Sequence, residues 1–294
     1  MKAQVRQIFY DEATRALLDP GFLPLDNTAN RRPEWYELWV IREFLRHHTL
    51  DADTWYGFVS PGFGAKTGLG SADVYRLLEG ADASADVALF SPGWDQVGYF
   101  LNAFEQGDFW HPGLAQGAQA FFDRVGLDLD LQGHVGHSFN TVYCNFVVAR
   151  PVYWHAWLDL ANLLFDEIED DEDARGDALR AMTAYGFAGG VAPMRAFLQE
   201  RLACALLAVQ KFRTVSADLT ALRPPDPALF VEPARARRTL IACEVLKHEY
   251  ASGGGAELLA SYERLRASIA TCVPVPPAAD FLARRRPSQV QTPG

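Results

Sequence analysis

Twice in this chain an apolar run stops at Ser-Pro-Gly followed by an aromatic residue, and this limits the fold more than any other feature. Residues 54–68 read TWYGFVSPGFGAKTG, where the run Trp55 to Val59 ends at Ser60-Pro61-Gly62-Phe63. Residues 86–113 open with DVALFSPGW, where Val87 to Phe90 ends at Ser91-Pro92-Gly93-Trp94. Short apolar runs bounded by proline and glycine read as buried strands. Proline supplies no ladder donor, and glycine accepts dihedrals other residues refuse. Buried strands alternating with helical patterns point to an α/β sheet, in which ligands bind beyond the carboxyl ends of strands. If the two strands are parallel neighbours, their tips bring Ser60, Lys66, Ser91 and Asp95 around one crevice. The second tip is followed by a dense set of polar and aromatic groups: Trp94, Asp95, Gln96, Tyr99, Asn102, Glu105, Gln106 and His111. The plainer reading of that set is a capped loop and helix with ordinary surface groups, and of the echo, a common strand exit used twice.

The rest of the chain fits the same architecture. Residues 3–10 alternate as a first strand, and Asp11 is placed to cap a helical turn over residues 11–18. A polar loop at residues 26–30 precedes Pro33, which suits a helix start because its missing N–H costs nothing there. Residues 34–48 carry Trp35, Leu38, Trp39, Ile41, Phe44 and Leu45 at helical spacing. Glu37 stands among these aromatics, either paired with Arg42 or Arg46 on the surface or aimed into the crevice. Ser71 is expected to cap a helix over 71–79, and single helices are expected over 96–105 and 114–125. A strand is expected over 141–149, holding Asn145 in an apolar surround, where a buried amide needs partners. An aromatic-rich helix follows Pro151. The acidic run at 166–177 reads as a solvated, mobile loop. Residues 193–210 predict one apolar helix carrying Glu200 and Arg201, either as a structural ion pair or pointing into a site. Two further helices are expected over 234–250 and 255–269. His134 and His137 lie three apart without a nearby third ligand, a poor basis for zinc.

Composition excludes several classes. At 294 residues the chain is long enough for one large α/β domain or two small ones. No apolar run is long enough to span a bilayer, and the polar N-terminal residues give no secretory signal. A net charge of −10 argues against nucleic acid as a partner. The four cysteines, Cys144, Cys204, Cys243 and Cys272, are scattered in apolar contexts and read as reduced core residues.

An ordered set of elements resembles the bacterial capsular-polysaccharide and lipopolysaccharide biosynthesis glycosyltransferase-like family, which is GT-A-like in fold. The set comprises Asn27 and Asn30 in the early loop, then Trp35-Tyr36-Glu37-Leu38-Trp39. It continues with Tyr56-Gly57-Phe58, Asn145-Phe146-Val147-Val148, Trp157-Leu158 to Phe165, and Glu200-Arg201-Leu202. It spans residues 3–210. The chain departs from the family in having Ser60-Pro61-Gly62-Phe63-Gly64-Ala65-Lys66 where a His-Tyr-Arg-Arg element is expected, and in lacking Asp-x-Asp.

The resemblance implies an α/β fold: a mainly parallel, nucleotide-binding-like sheet flanked by helices, with a helical C-terminal part. It implies a GT-A-like domain over 1–222, a helical extension over 223–280 packed on it, and a disordered tail over 281–294. It further implies sugar transfer from a nucleotide-sugar donor to a glycan or lipid-linked glycan acceptor, in the cytoplasm at the inner face of the membrane. The basic tail suggests peripheral contact with anionic lipid. Such a site must neutralise a leaving diphosphate, by a divalent cation (Mg or Mn) or by cationic and N–H donors. Lys66 suits the second role, and Asp95 is the sole metal candidate. Donor contacts fall to Asn27, Asn30, Glu37, Ser60, Lys66 and Ser91. Acceptor contacts fall to Trp94, Asn102, Gln106, His111, Asn145 and Arg201. A carboxylate base is also required, with Asp95, Glu105 and Glu200 as unranked candidates. The rivals are a non-catalytic carbohydrate-binding or scaffold protein of this fold, and a carbohydrate-modifying hydrolase using Asp95, Glu105 and His111.

Overall fold

The computed structural model describes residues 1–169, 176–185 and 190–284. In chain order the elements are β1 (Lys2–Phe9), α1 (Glu12–Arg15), β2 (Leu23–Asp26), α2 (Tyr36–His47), β3 (Thr54–Val59), α3 (Phe63–Thr67), α4 (Ser71–Gly80) and β4 (Val87–Leu89). They continue with α5 (Trp94–Tyr99), α6 (Ala103–Trp110), α7 (Leu114–Arg124), β5 (Val147–Ala149), α8 (Pro151–Glu169), α9 (Asp177–Arg180), β6 (Met182–Tyr185) and β7 (Gly190–Pro193). The last are α10 (Met194–Gln199), α11 (Leu202–Val209), β8 (Thr214–Ser216), α12 (Pro233–Ala251), α13 (Ala256–Ala267) and α14 (Ala278–Leu282).

The fold is α/β, with a mostly parallel six-stranded mixed sheet in the order β2-β1-β3-β5-β4-β8 and helices around it. All its strands run the same way except β5, which is antiparallel to both β3 and β4. The two Ser-Pro-Gly strands are therefore not neighbours; β5 lies between them. Their carboxyl ends still emerge on one edge, because Val147, the first residue of β5, faces both Phe58 and Leu89. Every residue of β3, β4 and β5 is buried, which explains why these strands read as continuous apolar runs rather than alternating ones. The core beside them is aromatic: Phe58 meets Trp154 edge-on at 4.9 Å, and Trp154 meets Trp157 at 5.7 Å. The indole of Trp154 donates to the Tyr56 carbonyl at 2.9 Å, so its polar edge is satisfied in the core.

Three expected elements break. The strand expected over 141–149 shrinks to β5, because Cys144 and Asn145 take left-handed backbone (φ 62° and 54°) that no ladder accommodates. The helix expected over 96–105 is two helices. Asn102 caps the second, accepting from the Phe104 and Glu105 amides at 2.8 and 2.9 Å. The helix expected over 193–210 also divides, at Glu200 and Arg201, into α10 and α11. Smaller corrections concern caps and ends. Asp11 caps α1 as expected, whereas Gly70 rather than Ser71 is the cap of α4. Within the acidic run Glu169 is ordered by Arg32 and Trp35, and residues 170–175 lie outside the described set. In the expected tail, Phe281 is buried in α14 and Arg284 pairs with Asp108 at 2.9 Å; residues 285–294 are not described. The cysteines are all unpaired, but Cys272 is exposed rather than in the core.

The C-terminal helices α12 and α13 pack on α5 and its surroundings. Lys247, fully buried on α12, donates to the Val97 and Phe100 carbonyls. Gly98 permits the close approach: a Cβ there would meet the Leu240 carbonyl oxygen of α12 at 2.7 Å. Gly98→Ala is expected to lower stability by about 1–3 kcal/mol through overpacking, read as a lower denaturant midpoint with unchanged slope. No helix among the described residues is long and apolar enough to cross a membrane.

Candidate functional site

The carboxyl edge of β3 and β4 carries two adjacent cavities with a shared wall. The larger, 820 Å³, is lined from one side by the second tip (Pro92, Gly93, Asp95) and from the other by Lys66 and Cys144. The smaller, 580 Å³, lies beyond the first tip (Ser60, Pro61, Gly62) and the loop before α2. Lys66, Phe197 and Glu200 line both and form the partition between them. Lys66 and Asp95 thus face one space.

Local sequence explains this convergence. The loop ahead of β5 is bonded to both tips: the Tyr143 amide donates to Ser91 Oγ at 3.2 Å, and Lys66 Nζ lies 3.4 Å from Cys144 Sγ. Its left-handed residues turn the chain so that Tyr143 and Cys144 line the larger cavity. Among the described residues, four non-glycine positions have positive φ: Asn30, Tyr36, Cys144 and Asn145. Asn30 and Tyr36 line the smaller cavity, Cys144 the larger, and Asn145 follows it. Backbone strain of this kind persists where surrounding structure enforces it, and it concentrates at binding sites. The break between α10 and α11 acts similarly, placing Glu200 and Arg201 against the cavities rather than along a continuous helix.

The expected residues divide clearly. Asn27, Asn30, Glu37, Ser60 and Lys66 gather around the smaller cavity. Asp95, Gln106, His111, Glu200 and Arg201 line the larger. The others lie elsewhere. Glu105 is a buried ion-pair partner of Arg266 at 2.8 Å and also accepts from the Leu101 amide, so its carboxylate holds α13 and faces neither cavity. Asn102 is spent on capping α6 and on the Leu131 and His134 carbonyls. Trp94 donates to the Arg223 carbonyl at 3.0 Å, and with Ser91 it lines a separate, smaller pocket. Asn145 donates to the Gln199 carbonyl at 3.3 Å, behind the cavity walls. Sequence reasoning missed Tyr143, Cys144, Gln199 and the 223–227 segment, whose Arg223, Pro224, Asp226 and Pro227 close one side of the larger cavity.

Burial and neighbouring charge shift the titrating groups at the partition. Burial pushes the Glu200 carboxyl above its ordinary range, and Glu37 adds to this while Arg201 and Lys66 oppose it. Burial works against the Lys66 ammonium, but Cys144, Glu200 and Glu37 outweigh it and hold the lysine protonated. Burial also raises Asp95, against the Asp226 amide that donates to its Oδ2 at 2.7 Å. Among the described residues no three His, Cys, Asp or Glu side chains converge as metal ligands, and Asp95 is already engaged.

His111 stacks on Phe197 with ring centroids 3.4 Å apart. Burial, then Arg201, lowers its pKa to about 4. Burial likewise lowers His134 to about 4 and His137 to about 3, aided by Lys247 and by His248 respectively. These folded-state values lie below the ordinary 6.5, so below pH 6.5 the unfolded chain binds more protons and folding loses stability. The contribution is present above pH 6.5 and is lost progressively as pH falls toward 3, the folded-state value of His137. Thermal melts across pH 4–7 are expected to show this acid limb, and His137→Gln is expected to flatten it.

No protein-family model, curated protein or solved structure matches this chain in comparison.

Proposed function

We propose that the protein is a glycosyltransferase that moves a sugar from a nucleotide-sugar donor to a glycan or lipid-linked glycan acceptor. The observation that carries this reading is the pair of cavities joined across Lys66, Phe197 and Glu200. Two adjacent compartments with a charged, titratable shared wall suit group transfer between two bound substrates, which supports this reading. A GT-A-like placement of the nucleotide, at the carboxyl edge of the sheet, is part of the reading.

The smaller cavity takes the donor. Its lining includes apolar and aromatic groups suited to a base (Ile8, Leu17, Tyr10, Tyr36), and its polar groups include Asn27, Asn30 and Glu37. Its near end is Lys66, which meets the leaving diphosphate as a point charge. The larger cavity takes the acceptor. Phe197 and Trp110 offer flat faces, and Gln106, His111 and Tyr143 offer hydrogen-bonding groups to sugar hydroxyls. Glu200, at the seam, accepts the proton of the acceptor hydroxyl as that oxygen bonds to the anomeric carbon. The bond from that carbon to the diphosphate breaks, and its electron pair leaves on the phosphate oxygen beside Lys66. Asp95 acts by holding the 223–227 segment through Asp226.

Glu105 is withdrawn from any hydrolytic trio with Asp95 and His111 by its ion pair with Arg266. Work at the inner face of the membrane belongs to this reading through the lipid-linked acceptor. Purified protein incubated with a panel of nucleotide sugars is expected to release nucleoside diphosphate, faster with acceptor present, and Lys66→Ala is expected to lose this. A wild-type protein that binds sugars yet turns over no donor would favour the non-catalytic alternative.

A further inference from the structure

Arg201 is nearly fully buried and lines the larger cavity, yet it makes no salt bridge among the described residues. Its Nε donates to the Ala103 carbonyl at 2.8 Å, its Nη1 to the Phe197 carbonyl at 2.6 Å, and its Nη2 to Gln106 Oε1. All three acceptors are neutral. A guanidinium carries five N–H donors, so two are left over. Gln106 is fixed in turn by Gln96, whose Oε1 accepts from Gln106 Nε2 at 2.7 Å. Gly107 makes the room: a Cβ at that position would meet Arg201 Nε at 2.6 Å and Cζ at 2.9 Å. The chain thus holds a cation in a rigid cradle of neutral groups, where burial without a counter-ion is costly.

Two more features of the same cavity complete the picture. Nδ1 of His111, a side chain only 7% exposed, is buried without a hydrogen-bond partner, and so is the Tyr143 hydroxyl. Both side chains line the cavity with Arg201. The cavity's other charges are Lys66 and Arg223, and the carboxyls Asp95, Glu200 and Asp226. Asp95 is bonded to the Asp226 amide, and Glu200, whose carboxyl feels the Arg201 charge ahead of that of Lys66, forms no ion pair with Arg201 among the described residues.

We infer that the larger cavity binds an acceptor bearing an oxyanionic substituent, a sugar carboxylate or a sugar phosphate, with the anion on Arg201 and neighbouring hydroxyls on His111 and Tyr143. A guanidinium is the group that takes a planar carboxylate or a phosphate in two-point contact, which a lysine cannot reproduce. This inference rests on the transferase reading in assigning the larger cavity to the acceptor.

The test is ligand-observed NMR or calorimetry at low salt with three probes: methyl glucuronide, glucose 6-phosphate and neutral methyl glucoside. A nucleoside diphosphate is titrated separately. Wild type is expected to bind at least one anionic sugar about tenfold more tightly than methyl glucoside, and added salt is expected to erode that preference. Which of the two binds better distinguishes carboxylate from phosphate. Arg201→Gln is expected to remove the preference while leaving nucleoside diphosphate affinity within about twofold. Arg201 also ties α6 to α10, so Gly107→Ala serves as a second variant that displaces the guanidinium without deleting it. Equal binding of all three sugars by wild type would overturn the inference and leave the transferase reading standing. A parallel loss of nucleoside diphosphate affinity in both variants would also overturn it, by assigning Arg201 to the donor. Intact anionic preference with no nucleotide binding at all would support the site and sink the transferase reading.

Discussion

Glu200→Gln is expected to reduce sugar transfer by about 10²–10⁴-fold, the range attributed to a positioned general base, while donor binding stays near wild type. The substitution keeps shape and hydrogen-bonding capacity but removes the proton acceptor at the seam of the two cavities. The pH profile carries the same information. Burial holds the Glu200 carboxyl above the ordinary carboxylate range, and the base works only when ionised. The rate is therefore expected to fall as pH drops through that raised value, at higher pH than an exposed glutamate would titrate. Steady-state rates across pH 4–8 check both points. A Glu200→Gln enzyme with unchanged rate and an unchanged acid limb would remove Glu200 from the chemistry.

Arg266→Met is expected to cost about 3–5 kcal/mol, the penalty for leaving a buried charge without its partner. Arg266 is almost fully buried on α13. It reaches both oxygens of Glu105, at 2.8 and 2.9 Å, as well as the Pro276 carbonyl at 3.0 Å. It also sits over the Tyr99 ring at 4.8 Å. These contacts join α6, α13 and the segment before α14, and nearby charge and Tyr262 hold the guanidinium protonated well above its usual range. A thermal melt is expected to drop by on the order of 10 °C. Pairing Arg266→Met with Glu105→Leu is expected to recover much of the loss, because no charge is then stranded. If Arg266→Met alone melts like wild type, α13 is not held in this way.

The strand tips were legible because a buried strand must be apolar throughout and must stop where proline and glycine stop it. What could not be read was that β5 inserts between them, since pairing over such separations leaves no local mark. Asn102 and Glu105 did leave one. Asparagine followed three residues later by glutamate is a helix-start signature, and it accounts for the break between α5 and α6. The break at Glu200 and Arg201 had no such mark, because Leu-Gln-Glu-Arg-Leu consists of good helix formers. There the tertiary pull of the Ala103 carbonyl and Gln106 on Arg201 accompanies the break. The fate of Glu105 was invisible for a related reason: its partner lies 161 residues away. The grouping of Asn27, Asn30, Glu37, Ser60 and Lys66 around one cavity follows from β2 and β3 flanking β1 in parallel, so that their exits face the same way.

In the proposed reaction Lys66, between the two cavities, receives the diphosphate of a nucleotide donor. Calorimetric titration of wild type and Lys66→Ala with nucleoside diphosphates tests it most directly. Wild type is expected to bind at least one nucleoside diphosphate, with affinity weakened tenfold or more in Lys66→Ala while the variant's melt is unchanged. Equal affinity in the two proteins, or no nucleotide binding by a folded wild type, would contradict it.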